Sequence, residues 1–262
     1  MNLRDLALRQ LHDYDRHRPG GCFAGDSLTL TLQQAYDLQF QVARLRWARG
    51  ESAAGFKIGC VSQAIQRQLG IGQPVFGHVF ATELQATGAV LDSTLYEGLA
   101  IEGEFAVRLA HDVPNADWLR ANLPQSVAAI FPVIELHNYV VRGSTLSAQE
   151  LIANNGIHAG VVLPRHETPW NGSAIGEQPI LVTRNGQTIG SATGDALPDF
   201  PFGSLIRLAE HLARFGLRLR QGQLVLIGSP LPLYRVSPGD RIEVISPASG
   251  AAVTATVGHP SA

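Results

Sequence analysis

Two glutamates stand two residues apart in the segment LAIEGEFAVRLA, Glu102 and Glu104. On a β-strand, residues i and i+2 point to the same face, so the two carboxylates stand side by side. Ile101, Phe105 and Val107 flank them, so part of this strand should be buried. Like charges there raise each other's pKa unless a cation sits between them. Oxygen-only ligands of this kind suit magnesium, calcium or manganese. The alternative is a solvent-facing pair on an amphipathic strand. Glu135 sits inside the apolar run AIFPVIELHNYVV, where an unpaired carboxylate is costly. It needs either a metal or a basic partner such as Arg108 or Arg142. Three carboxylates on two strands, leaving positions open for water and substrate, make a reasonable magnesium site.

Lys57 is the single lysine among 20 basic residues, and it opens the glycine-bracketed segment GFKIGCVS. Genomic base usage accounts for the arginine bias. A lysine kept in an apolar setting either snorkels or supplies a compact ammonium that titrates when desolvated, as a guanidinium does not. His78, in the glycine-rich stretch LGIGQPVFGHVF, is a candidate general base, against a purely structural role. The stretch lacks the phosphate-loop pattern. Asn154, Asn155 and His158 lie in LIANNGIHAGVVL, where turn chemistry explains the asparagines, although their side chains can also bind a carboxylate ligand. Gly228-Ser229 ends the strand GQLVLIGSPL and either holds a ligand oxygen or makes a turn. No G-x-S-x-G elbow is present, which excludes a serine triad of that type.

The elements that must position these residues are legible in outline. Leu3, Leu6, Ala7 and Leu11 share one face of a first helix, closed by the turn HRPGG. Thr31 is the expected N-cap of a second helix that presents Ala35, Leu38, Val42 and Leu45 and stops at Gly50. Beyond Gly55, short apolar runs broken by Gly, Pro, Asn and Asp read as strands, with Asn185-Gly186 marking a hairpin. One helix interrupts the series, PFGSLIRLAEHLARFG. The expectation is an α+β fold with a helical N-terminal region over 1–54 and a β-rich, mostly antiparallel catalytic domain over 55–262, because strands and helices do not alternate.

Composition narrows the class. The 262 residues are 45% hydrophobic and 16% charged with a formal net charge of −2, which excludes a disordered chain and argues against a basic nucleic-acid binder. No run approaches the roughly 20 apolar residues of a membrane helix, and the polar N-terminus lacks a secretion-signal core. Cys22 and Cys60 are expected as reduced thiols of a cytoplasmic protein.

Taken in order, GFKIGCVSQAIQRQLGIGQPVFGHVF, IEGEF, FPVIELHNYVV, IANNGIHAGVVL and LRQGQLVLIGSPL resemble the 2-oxopent-4-enoate hydratase and 4-oxalocrotonate decarboxylase group of the fumarylacetoacetate hydrolase superfamily. The resemblance spans nearly the whole chain. It implies a mixed β-roll core and a divalent metal, usually Mg2+ with Mn2+ as the alternative, held by Glu102, Glu104 and Glu135. It places Lys57 beside the substrate, a small 2-oxo acid, and leaves Asn154 and Ser229 as further substrate contacts. It implies a lyase that works through a metal-stabilised enolate, a homo-oligomer, and an association with a related pathway enzyme.

Three departures distinguish this chain within that resemblance. Val75 stands where the hydratases carry an aspartate and the decarboxylases an apolar residue, which favours decarboxylation. Asn154-Asn155-Gly156-Ile157 replaces an Asp-Asn-Ala-Ser turn. Asn138, Tyr139 and Val140 replace an acidic residue followed by Ser-Arg. An acylpyruvate-type C–C hydrolase, with His78 or His158 as base, and a catalytically altered binding or partner subunit are the competing readings.

Overall fold

The computed structural model describes residues 2–18, 30–140, 147–170, 172, 175–198, 200–247 and 249–259. Helix α1 (Leu3–Asp15) starts at Asn2, whose side chain accepts from the Arg4 amide. Helix α2 (Leu32–Ala48) starts at Thr31 as expected, and Thr31 and Gln34 cap each other reciprocally. Beyond the expected Ala35 and Leu38, α2 buries Tyr36, Gln39, Phe40, Ala43 and Arg46, because it is covered on more than one side. The HRPGG turn lies partly, and Cys22 wholly, outside the described residues.

The β-rich body runs β1 (Ala53–Gly59), β2 (Val75–Phe80), β3 (Leu84–Ala86), β4 (Ala89–Asp92), β5 (Leu99–Leu109), β6 (Val127–Asn138) and β7 (His158–Leu163). It continues through β8 (Pro179–Arg184), β9 (Gln187–Thr193), β10 (Leu224–Leu226), β11 (Tyr234–Arg235), β12 (Arg241–Ser246) and β13 (Ala251–Gly258). The expected helix is present as α6 (Phe202–Ala213). The body also holds three short helices that the periodicity did not reveal, α3 (Gln63–Leu69), α4 (Ala116–Asn122) and α5 (Ala148–Ala153). Each has seven residues or fewer, too short for two full repeats of an apolar face. Their caps, Ser62, Asn115 and Ser147, were the readable signal. The hairpin between β8 and β9 turns on Asn185 and Gly186, both at positive φ.

The strands form two mixed sheets, giving the α+β class expected. The large one runs β2-β1-β10-β5-β6-β7-β3, with β11 added on β5, and the small one runs β4-β13-β12-β8-β9. Among the described strands, pairing is antiparallel except at β1–β10, β3–β7 and β4–β13. The sheets meet face to face at β5, where a Cβ on Gly103 would lie 2.4 Å from Val182 Cγ2 and 3.2 Å from Val244 Cγ2. Ile101, Phe105 and Val107 share that face by strand alternation and are buried in the main core, which also takes in Leu6, Ala35 and Leu38 of α1 and α2.

The opposite face of β5 looks into the curl of the large sheet. Val79 of β2, Leu226 of β10, Ala106 of β5, Phe131 and Val133 of β6 and Val161 of β7 form a second, smaller apolar cluster there. Strands at the two ends of that series therefore share one lining. The curl makes an interior whose floor is apolar, and the residues that continue along the same faces are charged. No described helix is long and apolar enough to cross a membrane.

Candidate functional site

Register builds the site. Glu102 lies opposite Glu135 across β5 and β6, and Glu104 stands two residues along on the same face as Glu102. Lys57 enters from β1, in register with Gly77 of β2 and Leu226 of β10, and its Nζ lies 3.1 Å from Glu135 Oε1. Lys57, Glu104 and Glu135 are all buried. Glycines make room for the lysine stem. A Cβ at Gly77 would lie 3.1 Å from Lys57 Cγ, one at Gly156 3.0 Å from Cε, and one at Gly59 3.2 Å from Nζ. Gly156 also takes φ +63°.

The electrostatics follow from this packing. Burial alone would push the Glu135 carboxyl up, but the Lys57 charge, aided by His137 and His158, holds it well below the usual carboxylate range. Burial likewise opposes the Lys57 charge, yet Glu135, then Glu102 and Glu104, raise it above the ordinary lysine value, so it stays protonated. Glu104 is pushed well upward by burial first and by Glu135 and Glu102 next. Its Oε2 accepts from the Gly228 amide at 2.8 Å, while the buried Oε1 meets no hydrogen-bond donor among the described residues. Three carboxylates share one lysine, and one carboxylate oxygen is bare. That donor set fits a divalent cation, with Glu102, Glu104 and Glu135 as the carboxylates to hold it.

Of the two arginines proposed as partners for Glu135, one is described. Arg108 pairs with Glu167 instead, and Arg142 lies outside the described residues. His158, from the start of β7, places Nδ1 2.7 Å from Glu135 Oε1. His137 was missed by the sequence reading. Its Nε2 lies 3.1 Å from Glu102 Oε2 and 3.5 Å from Glu135 Oε2. The signal was available, because Glu135 and His137 have the same i, i+2 spacing that singled out Glu102 and Glu104.

Three expected site residues are placed elsewhere. His78 is in register with Phe56, on the face of β2 opposite Gly77, and so points away from Lys57 and the carboxylates. It packs among Phe40, Trp47, Phe56 and Phe80, and burial, with Arg46 nearby, drives its pKa down to about 3. A base for reaction at the carboxylates is not available there. Asn154 caps α5 by donating to Glu150 O at 2.9 Å and accepts from Gln10 of α1. Ser229 Oγ donates to Gly103 O at 3.0 Å and accepts from the Leu231 amide at 3.0 Å, which clamps the loop that carries the Gly228 amide. Its hydroxyl serves the loop. Cys60, a free and half-buried thiol, has its pKa raised to about 11, chiefly by burial.

His78 and Asn154 instead line a separate cavity of about 430 Å³ beside α1 and α2, which Lys57, Glu102, Glu104 and Glu135 do not line. Its wall holds a buried charge cluster. Arg46 Nη1 meets Glu83 Oε1 at 2.7 Å, Tyr14 donates to the same oxygen at 2.6 Å, and Arg46 Nη2 meets Glu51 Oε2 at 2.5 Å.

No protein-family model matches the chain. Curated relatives do. It is 28% identical over 219 residues to a 2-hydroxyhexa-2,4-dienoate hydratase of Comamonas testosteroni, covering 82% of this chain and 83% of that one. It is 24% identical over 214 residues to a 2-keto-4-pentenoate hydratase of Paraburkholderia xenovorans, covering 82% and 80%. Among solved structures, a 4-oxalocrotonate decarboxylase from Pseudomonas putida, complexed with magnesium and adipate, superposes with a TM-score of 0.89 at 21% identity over 97% of both chains. A fumarylpyruvate hydrolase from Pseudomonas aeruginosa, in complex with Mn2+ and pyruvate, gives 0.57 at 17% identity over 78% of this chain and 88% of that one. The chain is thus similar to 2-oxo-enoate hydratases over about four fifths of its length and shares the fold of 4-oxalocrotonate decarboxylase. The curated relatives it matches are enzymes, and the likeness supports an enzyme here.

Proposed function

We propose that this chain is a divalent-metal-dependent lyase acting on a small unsaturated 2-oxo acid, of the decarboxylase or hydratase type that serves aromatic-compound catabolism. The observation that carries the reading is the register that sets Glu102, Glu104 and Glu135 on one face of the curled sheet beside the buried Lys57. A divalent ion, Mg2+ with Mn2+ as the alternative, supplies Lewis acidity for the carboxylate and keto oxygens of such an acid when bound. Lys57, kept charged by its carboxylate neighbours, orients the substrate and can move a proton at its Nζ. The apolar floor of the curl keeps bulk water from the reacting carbons.

Val75 supports decarboxylation over hydration. It is buried, lies opposite Gly59, and sits 3.7 Å from the position of a Cβ on Gly156, so it brings a methyl group, not a carboxylate, to the lysine's surroundings. Decarboxylation needs an electron sink, whereas hydration also needs a group to activate water. The names of the curated relatives support hydration. A cytoplasmic homo-oligomer, in association with a related pathway enzyme, completes the proposal.

Protein supplied with Mg2+ would be offered a 2-hydroxymuconate-type diacid, a 2-hydroxypentadienoate and an acylpyruvate, with the products identified. Carbon dioxide release from the first is expected. Turnover of none, with no metal binding by calorimetry, would sink the enzyme reading. A Glu102→Ala, Glu104→Ala double variant is expected to lose metal binding, and retained binding would sink the ligand assignment.

A further inference from the structure

His137 brings a nitrogen donor to Glu102 and Glu135 together. His137 follows Glu135 by two residues on β6 and therefore shares its face, with the apolar Ile134 and Leu136 on either side of Glu135. It is buried, and its Nδ1 meets no hydrogen-bond partner among the described residues. Its Nε2 faces the carboxylates of Glu102 and Glu135. One oxygen each from Glu102 and Glu135 and one ring nitrogen of His137 all lie within 4.8 Å of one another. The nitrogen–oxygen separations of 3.1 and 3.5 Å match the edge lengths of a coordination shell. Adjacent ligands held about 2.1 Å from a six-coordinate ion are about 3.0 Å apart, and those around a four-coordinate ion about 3.4 Å.

We infer that His137 is a metal ligand of this chain, joining Glu102 and Glu135 in a mixed nitrogen and oxygen set that favours a first-row transition ion such as Mn2+ over Mg2+. The inference rests on the metal site proposed above and deepens it. Imidazole suits transition ions, whereas Mg2+ keeps oxygen ligands and sheds water reluctantly. A bound imidazole nitrogen adds a donor to the carboxylates without adding negative charge. The ordinary alternative is that Nε2–H merely donates to Glu102 and steers it.

Electron spin echo modulation on the Mn2+-loaded full-length protein separates these. The expected result is 14N modulation from a directly bound nitrogen, lost in His137→Val and kept in His158→Gln, with Mn2+ still bound in both. Competition by Mg2+ should show a preference for Mn2+ that falls on the order of tenfold in His137→Val. Bound Mn2+ without 14N modulation in the wild-type protein, or modulation that survives His137→Val, overturns the inference and leaves the carboxylate site standing. A protein that binds neither Mn2+ nor Mg2+ by calorimetry overturns both. A wild-type spectrum without 14N modulation overturns the inference even where a variant does not fold.

Discussion

His78→Leu tests the placement of the sequence-predicted base and the energetics of its surroundings together. The imidazole is buried among four aromatic rings, neither nitrogen has a hydrogen-bond partner among the described residues, and its pKa lies near 3 against 6.5 for a free histidine. The unfolded chain therefore binds a proton between those values that the native chain refuses. Stability is complete above about pH 6.5 and falls as the pH drops toward about 3, by about 1.4 kcal/mol per unit. At pH 5 the loss from this residue is about 2 kcal/mol, which in a chain of this length is a shift in Tm of about 5 °C. His211, buried against Tyr36 and Phe76 with its pKa also near 3, acts in the same direction in every variant. Leucine is close in volume and leaves no polar atom unpaired, so the variant should match the wild type at pH 7 and lose about 2 kcal/mol less on acidification to pH 5. Urea melts at both pH values give the difference, and initial rates at pH 7 should be unchanged. An equal acid loss in both proteins would refute the buried-neutral assignment. A folded variant with its turnover abolished would refute the placement of His78 away from the reacting groups.

Three further outcomes follow from the same packing. Lys57→Arg should keep the fold and lose activity by about a hundredfold, because Gly59, Gly77 and Gly156 leave a channel for an ammonium and not for a planar fork; kcat/KM beside a thermal melt checks this. Gly156→Ala should cost about 1 kcal/mol of stability from its left-handed backbone and reduce turnover further, since the new methyl meets Lys57 Cε and Nζ at 3.0 and 3.1 Å; unchanged kcat would count against that contact. Arg46→Met strands the buried Glu83 and the largely buried Glu51, so urea unfolding should show a loss of about 3–5 kcal/mol, part of it recovered by adding Glu83→Gln.

Short-range signals in the chain were dependable. The Thr31 cap, the Asn185-Gly186 hairpin, the face of α2 through Ala35 and Leu38, and the pairing of Glu102 with Glu104 on one strand face all depend on neighbours within a few residues, and so does the identity of Lys57 as an unusual lysine. Short helices escaped because α3, α4 and α5 carry too few residues for a period to show. The apolar run around Glu135 marked it as needing a metal or a basic partner, and family resemblance favoured the metal, shared with Glu102 and Glu104.

The sequence by itself determined which side chains can do chemistry and which pairs share a strand face, because strand alternation is a local property of the backbone. Only the tertiary structure decided which of them meet. The β5–β6 register sets Glu102 opposite Glu135, and β1, joining through β10, delivers Lys57 to Glu135 where an arginine was also expected. The same pairing turns His78 to the helix-covered face and brings in His137. Asn154 and Ser229 have their polar atoms taken up by a helix end and a loop. Register and hydrogen-bond partnership join residues tens of positions apart, and no local pattern encodes which of several chemically equivalent partners the closed sheet will bring within reach.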